Sequence, residues 1–145
     1  MTEKILISHR GNLFGPNPKL ENNPVQIMYA IKQGFDVEID IWFVNNTLYL
    51  GHDSPTYEIK IEFLKNNKLW CHAKNLEALE IMMKNKIHCF WHETDTVTIT
   101  SNGYIWTYPG KFLINNSIAC MPETLNFPNL ETAIGVCSDF ISKYK

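Results

Sequence analysis

The chain has 145 residues, 45% of them hydrophobic, and a formal net charge of -2. That length holds one domain with its own core, and the charge balance leaves no basic footprint for a nucleic-acid backbone. The N-terminal "MTEKILISHRG" carries too short an apolar run for a secretion signal or a membrane span. The expectation is therefore a single cytoplasmic domain over residues 1–145.

In chain order, "KILISHRG" alternates and predicts a first strand over Lys4 to Ser8 that ends in His9 and Arg10. "ENNPVQIMYAIKQG" predicts a helix, with Asn23 as cap, Pro24 in the first helical position, Val25, Met28 and Ile31 as its apolar positions and Gly34 as the stop. "FDVEIDIWFV" predicts a second strand, "NN" a turn and "TLYLGHD" another extended piece, with "YEIKIEFLKNN" as a short helix. "KLWCHAKN" predicts a strand and "NLEALEIMMKNK" a helix with Leu76, Leu79 and Met83 on one face. Further strands fall in "IHCFWHETD", "YIWTYPG", "SIACMPE" and "AIGVCSDFI". Strands alternating with helical or short connecting segments predict an α/β fold with mostly parallel strands.

Polar chemistry gathers at the strand ends, where parallel α/β folds build their sites. Glu38 and Asp40 are one residue apart in an apolar strand, so both carboxylates leave one face while Val37, Ile39 and Ile41 leave the other. Two close buried carboxylates need a cation, a shared proton or a set of donors, and hard divalent ions such as Mg²⁺ or Ca²⁺ prefer such oxygens. Arg10 is a planar cation suited to phosphate oxygens. His9 and His52 can flank one reacting centre as acid and base, and Asp53 either orients His52 or caps a turn. His72 and Lys74 share a strand face, and His92 with Glu93 and Asp95 forms another polar strand end. His88 is expected at the surface. The four cysteines, Cys71, Cys89, Cys120 and Cys137, never form a CxxC spacing and are read as small buried residues.

"ISHRGN", "ENNP", "GFDVEIDIW" and "LYLGHD", in this order over Ile7 to Asp53, resemble the glycerophosphodiester phosphodiesterase family. The resemblance implies a (β/α) TIM-type barrel that cleaves a small phosphodiester substrate. His9 and His52 would be general acid and base, Glu38 and Asp40 would hold a divalent metal, Arg10 would contact phosphate, and Glu21 would organise the site. The family's next strand reads E-x-K, which puts His72 in the glutamate's place and Lys74 on the lysine. An imidazole there opens the site to Mn²⁺ or Zn²⁺, unless Glu93 serves as the third ligand. A complete barrel needs about 200 to 250 residues. The expectation is thus a shortened barrel whose later helices have become loops, or an incomplete one sealed by another subunit. A cyclic-phosphate-forming lyase and a non-catalytic module binding phosphorylated sugars or polyols are the alternatives.

Overall fold

A computed structural model describes residues 3–145. The first strand, β1 (Ile5–His9), leads into a loop that ends at Asn23, whose side chain accepts a hydrogen bond from the Val25 amide at 2.9 Å. Pro24 follows in the first helical position of α1 (Pro24–Lys32), where its missing N–H costs nothing. Strand β2 (Asp36–Val44) turns through Asn45 and Asn46 into β3 (Thr47–Leu50), which pairs in turn with β4 (Tyr57–Ile59). Both asparagines have positive φ, 49° and 60°, the backbone of a two-residue hairpin turn. Strand β5 (Leu69–Ala73) and helix α2 (Leu76–Lys84) follow, the helix capped by the Asn75 side chain. The remaining strands are β6 (Cys89–Phe90), β7 (Val97–Ile99), β8 (Ile105–Thr107), β9 (Ser117–Cys120) and β10 (Gly135–Ser138).

These strands form one curled, mixed sheet, a half-barrel. Strand β1 lies between β10 and β2, and β9 and β8 continue beyond β10, all in parallel. The first half of β2 pairs in parallel with β5, which pairs with β6, while its second half pairs antiparallel with β3. Strands β3 with β4 and β7 with β8 are also antiparallel. Curling brings the Trp106 ring of β8 to 4.8 Å from Phe90 of β6 and 5.8 Å from Trp70 of β5.

The expected α/β TIM-type barrel of mostly parallel strands is therefore incorrect. Only two α-helices occur among the described residues, and three short 3-10 turns stand elsewhere. The physical reason lies in the connections. Residues 108–116 and 121–134, which join the later strands, are too short or too broken by Pro and Gly to carry a covering helix. The "NN" turn can join only antiparallel neighbours. The segment expected as a short helix, "YEIKIEFLKNN", is β4 followed by a 3-10 turn over Ile61–Lys65.

In both α-helices the buried face is rotated from the one predicted, and of the expected positions only Ile31 and Leu79 pack against the core. Ile27 and Ala30 of α1 and Ala78 and Met82 of α2 are buried, whereas Val25, Met28, Leu76 and Met83 are exposed. The helices cover the outer face of β2 and β5, where Val37, Ile39, Ile41, Leu69 and Cys71 form the larger core. The inner face has its own cluster: Ile7, Trp70, Phe90, Trp106, Ile118, Cys120 and Cys137. No helix among the described residues is long and apolar enough to cross a membrane.

Candidate functional site

Alternation along β2 sends Glu38 and Asp40 to the inner face, where they are 4% and 1% exposed. Strand β5 lies in register with β2, so that His72 stands opposite Asp40. His72 Nδ1 lies 3.2 Å from Asp40 Oδ1 and 3.9 Å from Glu38 Oε2. Ligand atoms from these three residues all fall within 4.8 Å of one another. Glu38 Oε1 and Asp40 Oδ1 are buried with no hydrogen-bond partner among the described residues. Two ligands of one octahedral ion bound at about 2.1 Å stand about 3 Å apart, so the donor set and its spacing fit a divalent cation.

Around this group the chain places positive charge and donors. Arg10 adopts φ of 58°, a left-handed backbone that an L-residue takes only when its surroundings require it. Its amide donates to the Glu38 carbonyl at 2.9 Å, and its carbonyl accepts from the Asn22 amide at 3.0 Å. The guanidinium then reaches Glu21 at 3.0 Å and comes to 3.5 Å from Asp40 Oδ2. Asn22 bridges the same carboxylate. Its amide group donates to Asp40 Oδ2, and its side-chain oxygen accepts from the Asp40 backbone N–H, each at 2.9 Å.

The electrostatics separate the two acids. Burial, reinforced by the Asp40 charge, pushes Glu38 above the ordinary carboxylate range against the pull of His9, His72 and Arg10. Burial also acts on Asp40, but His72 alongside it, Arg10 and Asn22 outweigh that and hold it low.

His9 ends β1 on the inner face, with Nδ1 2.7 Å from Asp139 Oδ1 and Nε2 3.9 Å from Glu38 Oε1. Burial alone would lower its pKa. The bond to Asp139 and the charge of Glu38 instead raise it to about 9. Asp139 is held below the usual range by His9 and by the Asn12 amide, which donates to it at 2.8 Å, and these outweigh its own burial.

His52 approaches from the opposite side, after Gly51. At Gly51 φ is 154°, and a Cβ would collide with the Ser54 carbonyl. The Gly51 carbonyl accepts from the Trp42 indole N–H at 2.6 Å, which fixes the loop. His52 Nδ1 is 2.8 Å from the exposed carboxylate of Asp53. The structure thus pairs Asp53 with His52.

His9, His52, Glu38, Asp40, His72 and His92 all line one cavity of about 230 Å³, walled on its apolar side by Trp106, Tyr108 and Met121. A neighbouring cleft of about 320 Å³ shares Arg10 and His52 and extends past Glu21. His92 stacks on His72, ring centroids 4.3 Å apart and 9° from parallel, and Phe90 lies near-parallel to both, 5.3 Å from His72 and 5.8 Å from His92. Burial, with His72 and Lys74 nearby, lowers His92 to about 4, so the ring stacked on His72 is neutral at pH 7.

Lys74 is half-buried above His72, within electrostatic range of His92, and does not line the cavity. Glu93 is exposed. Its carbonyl accepts from the Tyr108 hydroxyl, and its carboxylate stands outside the Glu38–Asp40–His72 group of ligand atoms. His88, expected at the surface, is half-buried against Trp70 at 4.4 Å, bonds Thr100 and is lowered by burial to about 4.

The sequence assigns no role to Asp139 or to Asn22, the second residue of the Glu-Asn pair in the resembling motif, and marks Trp106 only as an aromatic suited to stacking on a sugar face. Asp139 gave only the signal of an acid at the end of the last strand. Asn22 stands just before the helix cap Asn23. Its left-handed φ of 60° could not be read there. No family model matches the chain, and no curated protein or solved structure does so either.

Proposed function

We propose that the protein is a metal-dependent phosphodiesterase acting on a small glycerophosphodiester-like substrate. One observation carries the reading: two histidines, each paired to its own carboxylate, face each other across a buried Glu38–Asp40–His72 ligand group in a single cavity. The resemblance of residues 7–53 to the glycerophosphodiester phosphodiesterase family supports it, without the barrel that the resemblance implied. The four thiols are free, which fits a reducing compartment.

A divalent ion held by Glu38, Asp40 and His72 would polarise a phosphate oxygen and offset charge that develops on it. The protein's own groups supply the rest. Arg10, already steered by Glu21 and Asp40, presents a planar cation at the junction of the cavity and the open cleft, where a second phosphate oxygen can be held. His9 carries its proton at neutral pH and, fixed by Asp139, can give it to the leaving alkoxide. His52, on the accessible rim and bonded to Asp53, is placed to take a proton from the attacking water or from a neighbouring hydroxyl of the substrate.

Thermal unfolding of the wild type in Mg²⁺, Ca²⁺, Mn²⁺ and Zn²⁺ tests the metal group, against a Glu38→Gln, Asp40→Asn double variant. Stabilisation confined to the wild type is expected. Phosphorus NMR of small glycerophosphodiesters then follows the bond. Turnover should fall about 10²- to 10⁴-fold in His9→Ala and in His52→Ala. Unchanged turnover in either variant would remove that histidine from the mechanism. Metal stabilisation with no turnover of any diester would favour a binding module instead.

A further inference from the structure

The cysteines, scattered in sequence, are organised in space. Cys71 of β5 stands directly opposite Cys89 of β6, and Cys120 of β9 directly opposite Cys137 of β10, each pair in register across a parallel ladder. Neighbouring strands lie about 4.8 Å apart, and directly opposed side chains leave the same face. That separation falls within the Cα range of about 4.4 to 6.8 Å that a disulfide spans. Register thus puts both pairs within the Cα range of a disulfide, and closing the bond requires the two Cβ atoms to draw slightly together.

Access distinguishes them. Cys71 and Cys89 are 0% and 1% exposed beneath α2, in the outer core. Cys137 is equally sealed, but Cys120 is 9% exposed and lines the cavity beside His9 and Met121. The two inner thiols lie in one apolar cluster. After Cys120 the chain turns sharply at Met121, φ 54°, whose amide donates to the Cys137 carbonyl at 2.8 Å. That bond holds the end of β9 against β10 at the level of the pair.

We propose that Cys120 and Cys137 form an oxidation site, in which hydrogen peroxide entering the cavity reacts at Cys120 and Cys137 resolves the product to a cross-strand disulfide. In the first step the Cys120 sulfur takes one peroxide oxygen. The S–O bond forms, the O–O bond breaks, and the second oxygen leaves as water with the thiol proton. In the second step the Cys137 sulfur attacks the sulfenic sulfur. The S–S bond forms, the S–O bond breaks, and the hydroxyl leaves as water with the Cys137 proton. Two thiols lose two electrons and two protons, and one peroxide becomes two waters. Peroxide is small enough for a cavity of about 230 Å³ that shelters Cys120. The link would form two residues before Asp139, on the strand end that aims His9. This inference does not depend on the phosphodiesterase reading.

The test is peptide mapping of the intact wild-type chain after millimolar hydrogen peroxide, with thiols alkylated under denaturing conditions before digestion. A reducible Cys120–Cys137 cross-link is expected, with Cys71 and Cys89 still alkylated and free thiols falling from four to two. In Cys137→Ser, dimedone should label Cys120. In Cys120→Ser, Cys137 should stay reduced. Four alkylatable thiols, a Cys120 carried on to sulfinic acid beside a free Cys137, or equally rapid linking of Cys71 to Cys89 would each overturn the proposal. If the serine variants do not fold, the wild-type map decides alone.

Discussion

The inner face of the sheet is filled by two layers carried on the same strands. Ile7, Trp70, Phe90, Trp106, Ile118 and Cys137 make the first, which is buried and apolar, with Trp106 forming the floor of the cavity. Two residues further along those strands come His9, His72, His92, Tyr108 and Cys120, which line the cavity, and Asp139, which is bonded to His9; these make the second, polar layer. Glu38 lies between the layers, opposite Trp70 on one side and His9 on the other. Since side chains repeat every two residues, a step of two keeps the face and changes only the depth. The lower layer supplies burial and rigidity. The upper layer spends some of that stability on charges held close together.

The widest contrast comes from deletion in the lower layer. Trp106→Ala removes a side chain that touches Phe90 and Trp70, and should cost about 3 to 5 kcal/mol in urea unfolding. A loss below about 1 kcal/mol would mean that the layer does not hold the curl together. In the upper layer, Asp139→Asn keeps the shape but weakens the hold on His9, and under the phosphodiesterase reading turnover should fall about 10- to 100-fold. The alkaline limb of the pH–rate profile should move to lower pH in the same variant, because a main support of the raised His9 pKa is gone. An unmoved limb would detach Asp139 from His9.

His88 sharpens the comparison at the edge of the lower layer. Its pKa in the folded state is lowered by burial from 6.5 to about 4, so the unfolded chain binds the proton first as pH falls. Its contribution to stability is present above pH 6.5 and is lost as pH drops towards 4. Discounted for its partial exposure, about 1 kcal/mol should disappear between pH 7 and 5. His88→Phe should flatten that slope, and a slope unchanged by the substitution would refute the assignment. The smallest effect has the opposite sign. In chelator at neutral pH, Glu38→Gln should stabilise by up to about 1 kcal/mol, because the charged form of Glu38 is disfavoured by burial and by Asp40. Destabilisation would show that the ion pairs of Glu38 outweigh its desolvation.

Much of the site was legible because strands have a simple period. Glu38 and Asp40 on one face, with Val37, Ile39 and Ile41 on the other, follows from alternation and is what the structure has. The Asn23 cap and Pro24 start of α1 were legible for the same local reason. The buried faces of both helices were legible only at Ile31 and Leu79. Ala30 and Ala78 pack closest to the sheet because they are small, while larger apolar residues such as Val25 and Leu76 point to solvent, and an apolar count cannot see that preference. The "NN" turn encodes an antiparallel hairpin within the mixed sheet.

The sequence by itself determined which residues share a strand face, where α1 and α2 start and which acids and histidines end the inward-facing strands. Those are local matters, set by backbone periodicity and by capping chemistry. Only the tertiary structure decided that Asp139, from the other end of the chain, holds His9, that His72 falls opposite Asp40, and that four scattered cysteines stand as two pairs. Each depends on which strand lies beside which and in what register. That choice is made by non-local packing of the whole sheet, which no short stretch of sequence contains.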